Sequence, residues 1–230
     1  MNTTSKNAKT ALLVGATGLV GGHCLRFLLE GDYYGKVVIL TRRKLPLDHK
    51  KLEQRVIDFD AVARNADLVK ADDIYCCLGT TRKKSPAKEI YYQVDFTYPF
   101  EIARLGLANG AEHYALVSAL GANPRSRIFY NRTKGEIEKA VSGLGFKGVY
   151  IFRPSLLTGE RQEERKWEEV SGNFGKKLSF LLVGPAKKFR PIEARAVAFA
   201  MVQTLRQGHP GVHVIESEEI REIFNKSGVR

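Results

Sequence analysis

Tyr130 and Lys134 lie four residues apart, and Ser118 stands twelve residues before the tyrosine, closing the apolar run Ala115-Leu116-Val117. On a helix, positions i and i+4 share a face, so phenol and ammonium would point the same way. A phenol has an unperturbed pKa of about 10 and is a poor acid–base group near neutrality unless a cation stabilises its phenolate. Lys134 supplies that cation. The spacing alone is a weak signal in a chain with nine tyrosines. Its weight comes from position: it opens the helix after the fifth predicted strand, with a serine at that strand's carboxyl end, where ligands of open α/β sheets bind.

A second set of residues suits anion binding without a metal. Residues 11–21 read Ala-Leu-Leu-Val-Gly-Ala-Thr-Gly-Leu-Val-Gly, a buried strand running into Gly15, Gly18 and Gly21. Gly15 would make the tight turn, Gly18 would admit a pyrophosphate, and Gly21 would let the next helix pack against the strand. That helix begins at Leu19 and Val20, just after Thr17, and its first N–H groups would meet the phosphates of a dinucleotide. An ordinary strand-turn-helix is the alternative. After the second strand comes Thr41-Arg42-Arg43, with no carboxylate for a ribose 2′-hydroxyl and two guanidinium groups for a 2′-phosphate. This predicts NADP(H) rather than NAD(H). Asp58 and Phe59 would meet the adenine, although Asp58 equally suits a cap on the next segment. Leu78, Gly79 and Thr80 end the fourth strand with a glycine that admits a ligand. Arg153, followed by Pro154, would shape the nicotinamide side of the pocket or pair with a surface carboxylate.

The elements that must hold these residues follow from patterning. Apolar runs at 10–14, 36–41, 54–58, 73–78, 113–118, 148–152 and 212–215 alternate with helical patterns at 19–29, 91–108, 129–142 and 192–206. That alternation predicts an α/β fold, a Rossmann-type doubly wound, mainly parallel seven-stranded sheet with helices on both faces. Residues 1–230 would form one NAD(P)-binding domain, with 154–191 contributing the substrate side. Within it, 156–177 and 187–191 would border the substrate. The charged stretch 158–177, which holds Trp167, reads as a lid or as a plain surface loop.

Composition narrows the partners. With 43% hydrophobic residues, the 230-residue chain can bury a full core. Cys24, Cys76 and Cys77 lack disulfide or zinc spacing and read as reduced core thiols. Neither an apolar leader nor a run of about 20 apolar residues is present, so no membrane partner and a cytoplasmic location are expected. The formal charge is +12, with basic clusters at Arg42–Lys44, Arg82–Lys84 and Lys187, Lys188 and Arg190. Such a surface attracts anions; a phosphorylated cofactor accounts for part of it, and nucleic acid is not the expected main ligand.

Gly15-x-x-Gly18-x-x-Gly21, Ser118, Tyr130-x-x-x-Lys134 and Arg153-Pro154 together resemble the short-chain dehydrogenase/reductase superfamily. Cys76 to Arg82, Val94-Asp95, Val117-Ser118 and Phe152-Arg153-Pro154 are similar to its atypical branch of Tat-interactive-protein oxidoreductases, over nearly the whole chain. The resemblance implies Tyr130 as proton donor, Ser118 as the residue orienting a substrate carbonyl, and Lys134 as the group that lowers the tyrosine's pKa and holds the nicotinamide ribose. The chain departs at Asp95, where the superfamily often carries an asparagine that anchors a relay water.

The leading expectation is therefore an NADPH-dependent reductase acting on a small carbonyl compound. The alternative is an NADPH-binding regulator acting through a macromolecular partner. A retained-cofactor epimerase is compatible with the same residues, and a protein partner or homodimer remains open.

Overall fold

The computed structural model describes residues 9–80, 87–159 and 189–228. Seven strands form one sheet: β1 (Lys9–Val14), β2 (Tyr34–Thr41), β3 (Leu52–Val56), β4 (Asp73–Cys76), β5 (His113–Val117), β6 (Gly148–Arg153) and, after a short pair β7 (Leu157–Thr158) and β8 (Ile192–Glu193), β9 (Gly211–Glu216). The order is β3-β2-β1-β4-β5-β6-β9, and every neighbouring pair is parallel. This is a Rossmann-like α/β sheet. The order in which strands are added reverses between β1 and β4, and ligands of such sheets bind beyond the carboxyl ends of the strands at that switch point.

Helices cover both faces because successive strand residues point opposite ways. Ala11, Leu13, Val37, Ile39, Tyr75 and Phe152 pack under α1 (Leu19–Glu30), α5 (Ala194–Gln207) and α6 (Ser217–Lys226). Leu12, Val14, Val38, Leu40, Ile74 and Ile151 face α3 (Tyr98–Ala108) and α4 (Phe129–Ser142). Each fully buried leucine or isoleucine contributes about 2 kcal/mol by leaving water. Cys24 and Cys76 are buried, Cys77 is half-buried, and all three are free thiols.

Several elements differ from expectation. β3 sits two residues earlier than the run at 54–58; it is an edge strand, only partly buried along its length, so its sequence is not a continuous apolar run. The helix expected over 91–108 is α2 (Lys88–Tyr92), a π-helical turn at Gln93–Thr97 and α3. Pro99 explains the turn: it has no N–H to give the Asp95 carbonyl, and its ring would clash there in a regular helix. Residues 192–193 pair as β8 instead of opening a helix, and α6 has no counterpart among the expected elements. Its Ile220, Ile223 and Phe224, three and four apart, seal the end of one apolar layer. Trp167, Arg82–Lys84, Lys187 and Lys188 lie outside the described residues, as does most of the expected substrate border. Among the described residues no helix is long and apolar enough to cross a membrane, and no cluster of metal-ligating side chains forms.

Candidate active site

The turn between β1 and α1 is built from backbone. Gly15 has φ of 84°, in the left-handed region, and a Cβ there would stand 2.5 Å from the Cys77 carbonyl oxygen, so only glycine fits. The Gly18 N–H donates to the Gly15 carbonyl at 2.9 Å. A Cβ on Gly21 would lie 2.0 Å from that same carbonyl oxygen, so the first turn of α1 lies against the strand end with no side chain between. Gly18 caps α1 without a side-chain bond, and the first turn holds no acidic residue. The helix therefore opens with N–H groups that no side chain has claimed, which suits a phosphate. Around it, Thr17 is exposed, Leu19 half-buried and Val20 buried.

Arg42 and Arg43 are both exposed, just past β2. The Thr41 hydroxyl donates to the Arg43 carbonyl at 2.8 Å and so fixes the backbone from which the two side chains leave. Asp58 takes its alternative role: its carboxylate accepts the Asp60 N–H at 3.0 Å and caps a short 3-10 helix. Phe59 is buried, its ring 5.5 Å from that of Tyr98. Leu78 packs against the core, while Gly79 is exposed between the strand end and the residues that follow.

The residues expected to act as acid and base come from α4, which spans the expected residues 129–142. Lys134 is buried, and its Nζ lies 2.7 Å from Asp95 Oδ1 and 3.5 Å from the Val117 carbonyl. The other Asp95 oxygen accepts the Thr80 N–H at 2.9 Å. Asp95, itself buried, thus ties α4 to the loop after β4, and the π-helical turn aims it there. A Cβ on Gly79 would stand 3.5 Å from Asp95 Oδ1 and 3.7 Å from Lys134 Nζ, so the missing side chain leaves this ion pair approachable. Burial disfavours the Lys134 charge, but Asp95 and Tyr130 outweigh it and hold its pKa above the ordinary lysine value.

Tyr130 remains 39% exposed, with its ring 6.1 Å from that of Tyr91. Burial pushes its phenol up, Lys134 pulls it down and Asp95 pushes it up, leaving it above the ordinary tyrosine value. The lysine acts in the expected direction and is outweighed.

Ser118 and Arg153 belong to a second cluster centred on a residue the motifs did not single out. The buried Ser118 hydroxyl donates to Glu138 Oε1. Arg153 grips the same carboxylate with two bonds, Nε to Oε1 at 3.0 Å and Nη2 to Oε2 at 2.6 Å, and reaches Glu216 at 3.1 Å. Those contacts, Glu138 foremost, raise the guanidinium's pKa. Arg153 thus takes the carboxylate-pairing alternative, with a buried partner in addition to a surface one. Glu138 follows Lys134 by four residues and Tyr130 by eight, so one face of α4 carries all three. That spacing is the signal that could have found it.

No family model matches the chain. It is 35% identical over 170 residues to Protein HTATIP2 of Rattus norvegicus, covering 72% of this chain and 70% of that protein. It is 32% identical over 232 residues to the mitochondrial protein FMP52 of Candida glabrata, covering 94% and 96%, and 36% identical over 196 residues to the corresponding Aspergillus fumigatus protein, covering 80% and 84%. Among solved structures the fold matches MoeE5 in complex with UDP-glucose and NAD, with a TM-score of 0.66 at 15% identity over 95% of this chain and 82% of that one. It also matches the dTDP-glucose 4,6-dehydratase DesIV of Streptomyces venezuelae with NAD and TYD bound, with a TM-score of 0.67 at 16% identity over 96% and 82%. The expected cytoplasmic location is corrected by these relatives. The FMP52 proteins, similar over most of the chain, are named mitochondrial, which points to mitochondria rather than cytoplasm; composition carries no information on that choice.

Proposed function

Because the chain belongs to the family of HTATIP2 and FMP52, within the atypical short-chain dehydrogenase/reductases, we propose that it is an NADPH-dependent oxidoreductase reducing a small carbonyl compound, with Tyr130 as proton donor. The observation that carries this reading is the buried Lys134 ammonium, held 2.7 Å from Asp95 one helical turn from a partly exposed Tyr130, at the carboxyl end of β5. When bound at the turn after β1, the cofactor would supply the hydride. Tyr130, protonated at neutral pH because its pKa lies above the ordinary tyrosine value, gives its proton to the substrate oxygen. Lys134 opposes the rise in that pKa, and its charge is fixed in place by Asp95 so that little reorganisation accompanies the transfer.

For the cofactor, Gly15, Thr17, Gly18, Leu19, Val20 and Gly21 receive the pyrophosphate at the start of α1, and the exposed Arg42 and Arg43 receive the 2′-phosphate. Gly79 and Thr80 would border the cofactor at the sheet edge, with Phe59 on the adenine side and Tyr130 and Lys134 toward the ribose and nicotinamide, while Asp58, Leu78 and Arg153 are taken up by the helix cap, the core and Glu138.

NADPH oxidation over a panel of aldehydes, ketones and quinones tests the proposal. Tyr130→Phe lowers turnover by about 10²- to 10⁴-fold while NADPH affinity is kept; equal rates in the variant and the wild type overturn the assignment. Arg42→Ala weakens NADPH about ten-fold and leaves NADH unchanged; equal losses for both cofactors remove the 2′-phosphate assignment. A second reading, an NADPH-binding regulator, is favoured by the commitment of the Ser118 hydroxyl to Glu138, which takes away the serine's donor. Cofactor binding without turnover on any member of the panel selects it.

A further inference from the structure

Ser118 has one hydroxyl proton, and the structure commits it. Its acceptor, Glu138, is 6% exposed and is clamped by two hydrogen bonds from Arg153, which is itself tied to Glu216 at the end of β9. An ionised, guanidinium-paired carboxylate is a stronger acceptor than a neutral ketone oxygen. A substrate carbonyl, which only accepts, therefore meets the lone pairs of Ser118 and finds no donor there. Leaving such a buried oxygen without a donor is unfavourable.

We propose that Glu138 is a positioning residue that turns Ser118 into a hydrogen-bond acceptor, so that the preferred substrates of this site carry a hydroxyl group beside the carbonyl: hydroxyketones and hydroxyaldehydes. The inference rests on the oxidoreductase reading above. Tyr130 then protonates the carbonyl oxygen, and the neighbouring hydroxyl of the same substrate donates to Ser118 Oγ. The geometry suits this division. Lys134 contacts the carbonyl of Val117, the residue before Ser118, and Tyr130, Lys134 and Glu138 share one face of α4 at intervals of four. Arg153 holds Glu138 from β6, so the serine proton is fixed by three elements, α4, β6 and β9, before any substrate arrives.

Matched pairs that differ only in the hydroxyl, acetoin against butanone and benzoin against deoxybenzoin, test this with NADPH as reductant. The wild type should reduce the hydroxyketone with a kcat/KM about ten-fold or more above that of the plain ketone, a loss typical of one unmade hydrogen bond. Ser118→Ala should bring the two members of each pair to parity by lowering the hydroxyketone's value. In the double variant Glu138→Leu, Arg153→Met both charges leave together, which avoids an unpaired buried ion. It frees the serine proton and should reverse the preference toward the plain ketone. A merely structural role for Glu138 would lower both rates without moving their ratio. Equal kcat/KM for the two members in the wild type, or equal losses for both in Ser118→Ala, overturns the inference and leaves the oxidoreductase reading standing. Turnover of neither member by a protein that binds NADPH overturns both.

Discussion

The two edges of the parallel sheet each bury a carboxylate, and they use it in opposite ways. At the amino edge, Asp73 opens β4 and is fully buried. It accepts the Tyr34 hydroxyl at 2.8 Å and pairs with His113 Nδ1 at 2.8 Å and Lys9 Nζ at 3.5 Å, while Tyr34 also bonds Tyr75 at 2.8 Å. Those partners open β1, β2 and β5, so one side chain ties four strands together. At the carboxyl edge, Asp95 is equally buried, but among the described residues it meets one backbone N–H, one lysine and the Tyr91 phenol, and beyond the lysine stands a tyrosine that solvent reaches. A polar network whose members are enclosed fixes the order of strands. A similar network that ends in an exposed phenol leaves a group able to react.

That contrast can be broken experimentally at either edge. Asp73→Ala leaves Tyr34 and His113 short of a buried acceptor and should cost about 3 to 5 kcal/mol in urea unfolding, with NADPH affinity of the folded fraction unchanged. A loss below 1 kcal/mol would show the amino edge to be no anchor. Asp95→Asn leaves the buried Lys134 ammonium without its counter-ion, so it should also cost about 3 kcal/mol or more in stability, and in the folded fraction it should act on pH dependence as well. The carboxylate pushes the Tyr130 phenol up, so without it the phenol deprotonates sooner, and the alkaline fall in reduction rate moves to lower pH. A shift in the other direction, or none, would detach Asp95 from the acid–base step.

The smallest effect sharpens the comparison through alkaline stability. Burial, with its neighbours, holds the Tyr34 phenol above its ordinary value, and burial does the same for Tyr75 against the opposing Tyr34 bond. A pKa raised on folding contributes stability that is complete below the unfolded value of about 10 and is lost as pH climbs above it. Tyr75→Phe removes one hydroxyl bond, costs about 1 kcal/mol at neutral pH, and should flatten the alkaline decline in Tm measured by calorimetry. An unchanged decline would mean that these phenols do not set the alkaline limit.

Legibility in the sequence followed the range of the interactions. Central strands such as β1, β2 and β5 are covered on both faces and are written as unbroken apolar runs, so all seven strands of the sheet could be placed. β3 was offset because Glu53, Gln54 and Arg55 lie on a half-exposed edge, where the apolar signal fades. α6 escaped because its stripe of Ile220, Ile223 and Phe224 sits among glutamates and reads as a charged tail. In the site, Gly15, Gly21, Tyr130 and Lys134 were readable since turn geometry and helical spacing act within a few residues. Glu138 shared that helical spacing, but its role was not readable, because Ser118 and Arg153 reach it from 20 and 15 residues away and it sits in a run of charged residues on α4. Asp95 stood out as a departure from a family pattern, but its ion pair with Lys134 depends on a helical turn that no periodicity announces.

That turn, Gln93–Thr97, makes the phase of a helix part of the chemistry. Successive helical residues are about 100° apart around the axis, so a single-residue deletion that restored regular winding would carry the carboxylate out of line with the ammonium while α3 kept its seat on the sheet. Length variation here is a switch with two settings, one of which disarms the pair without touching the core.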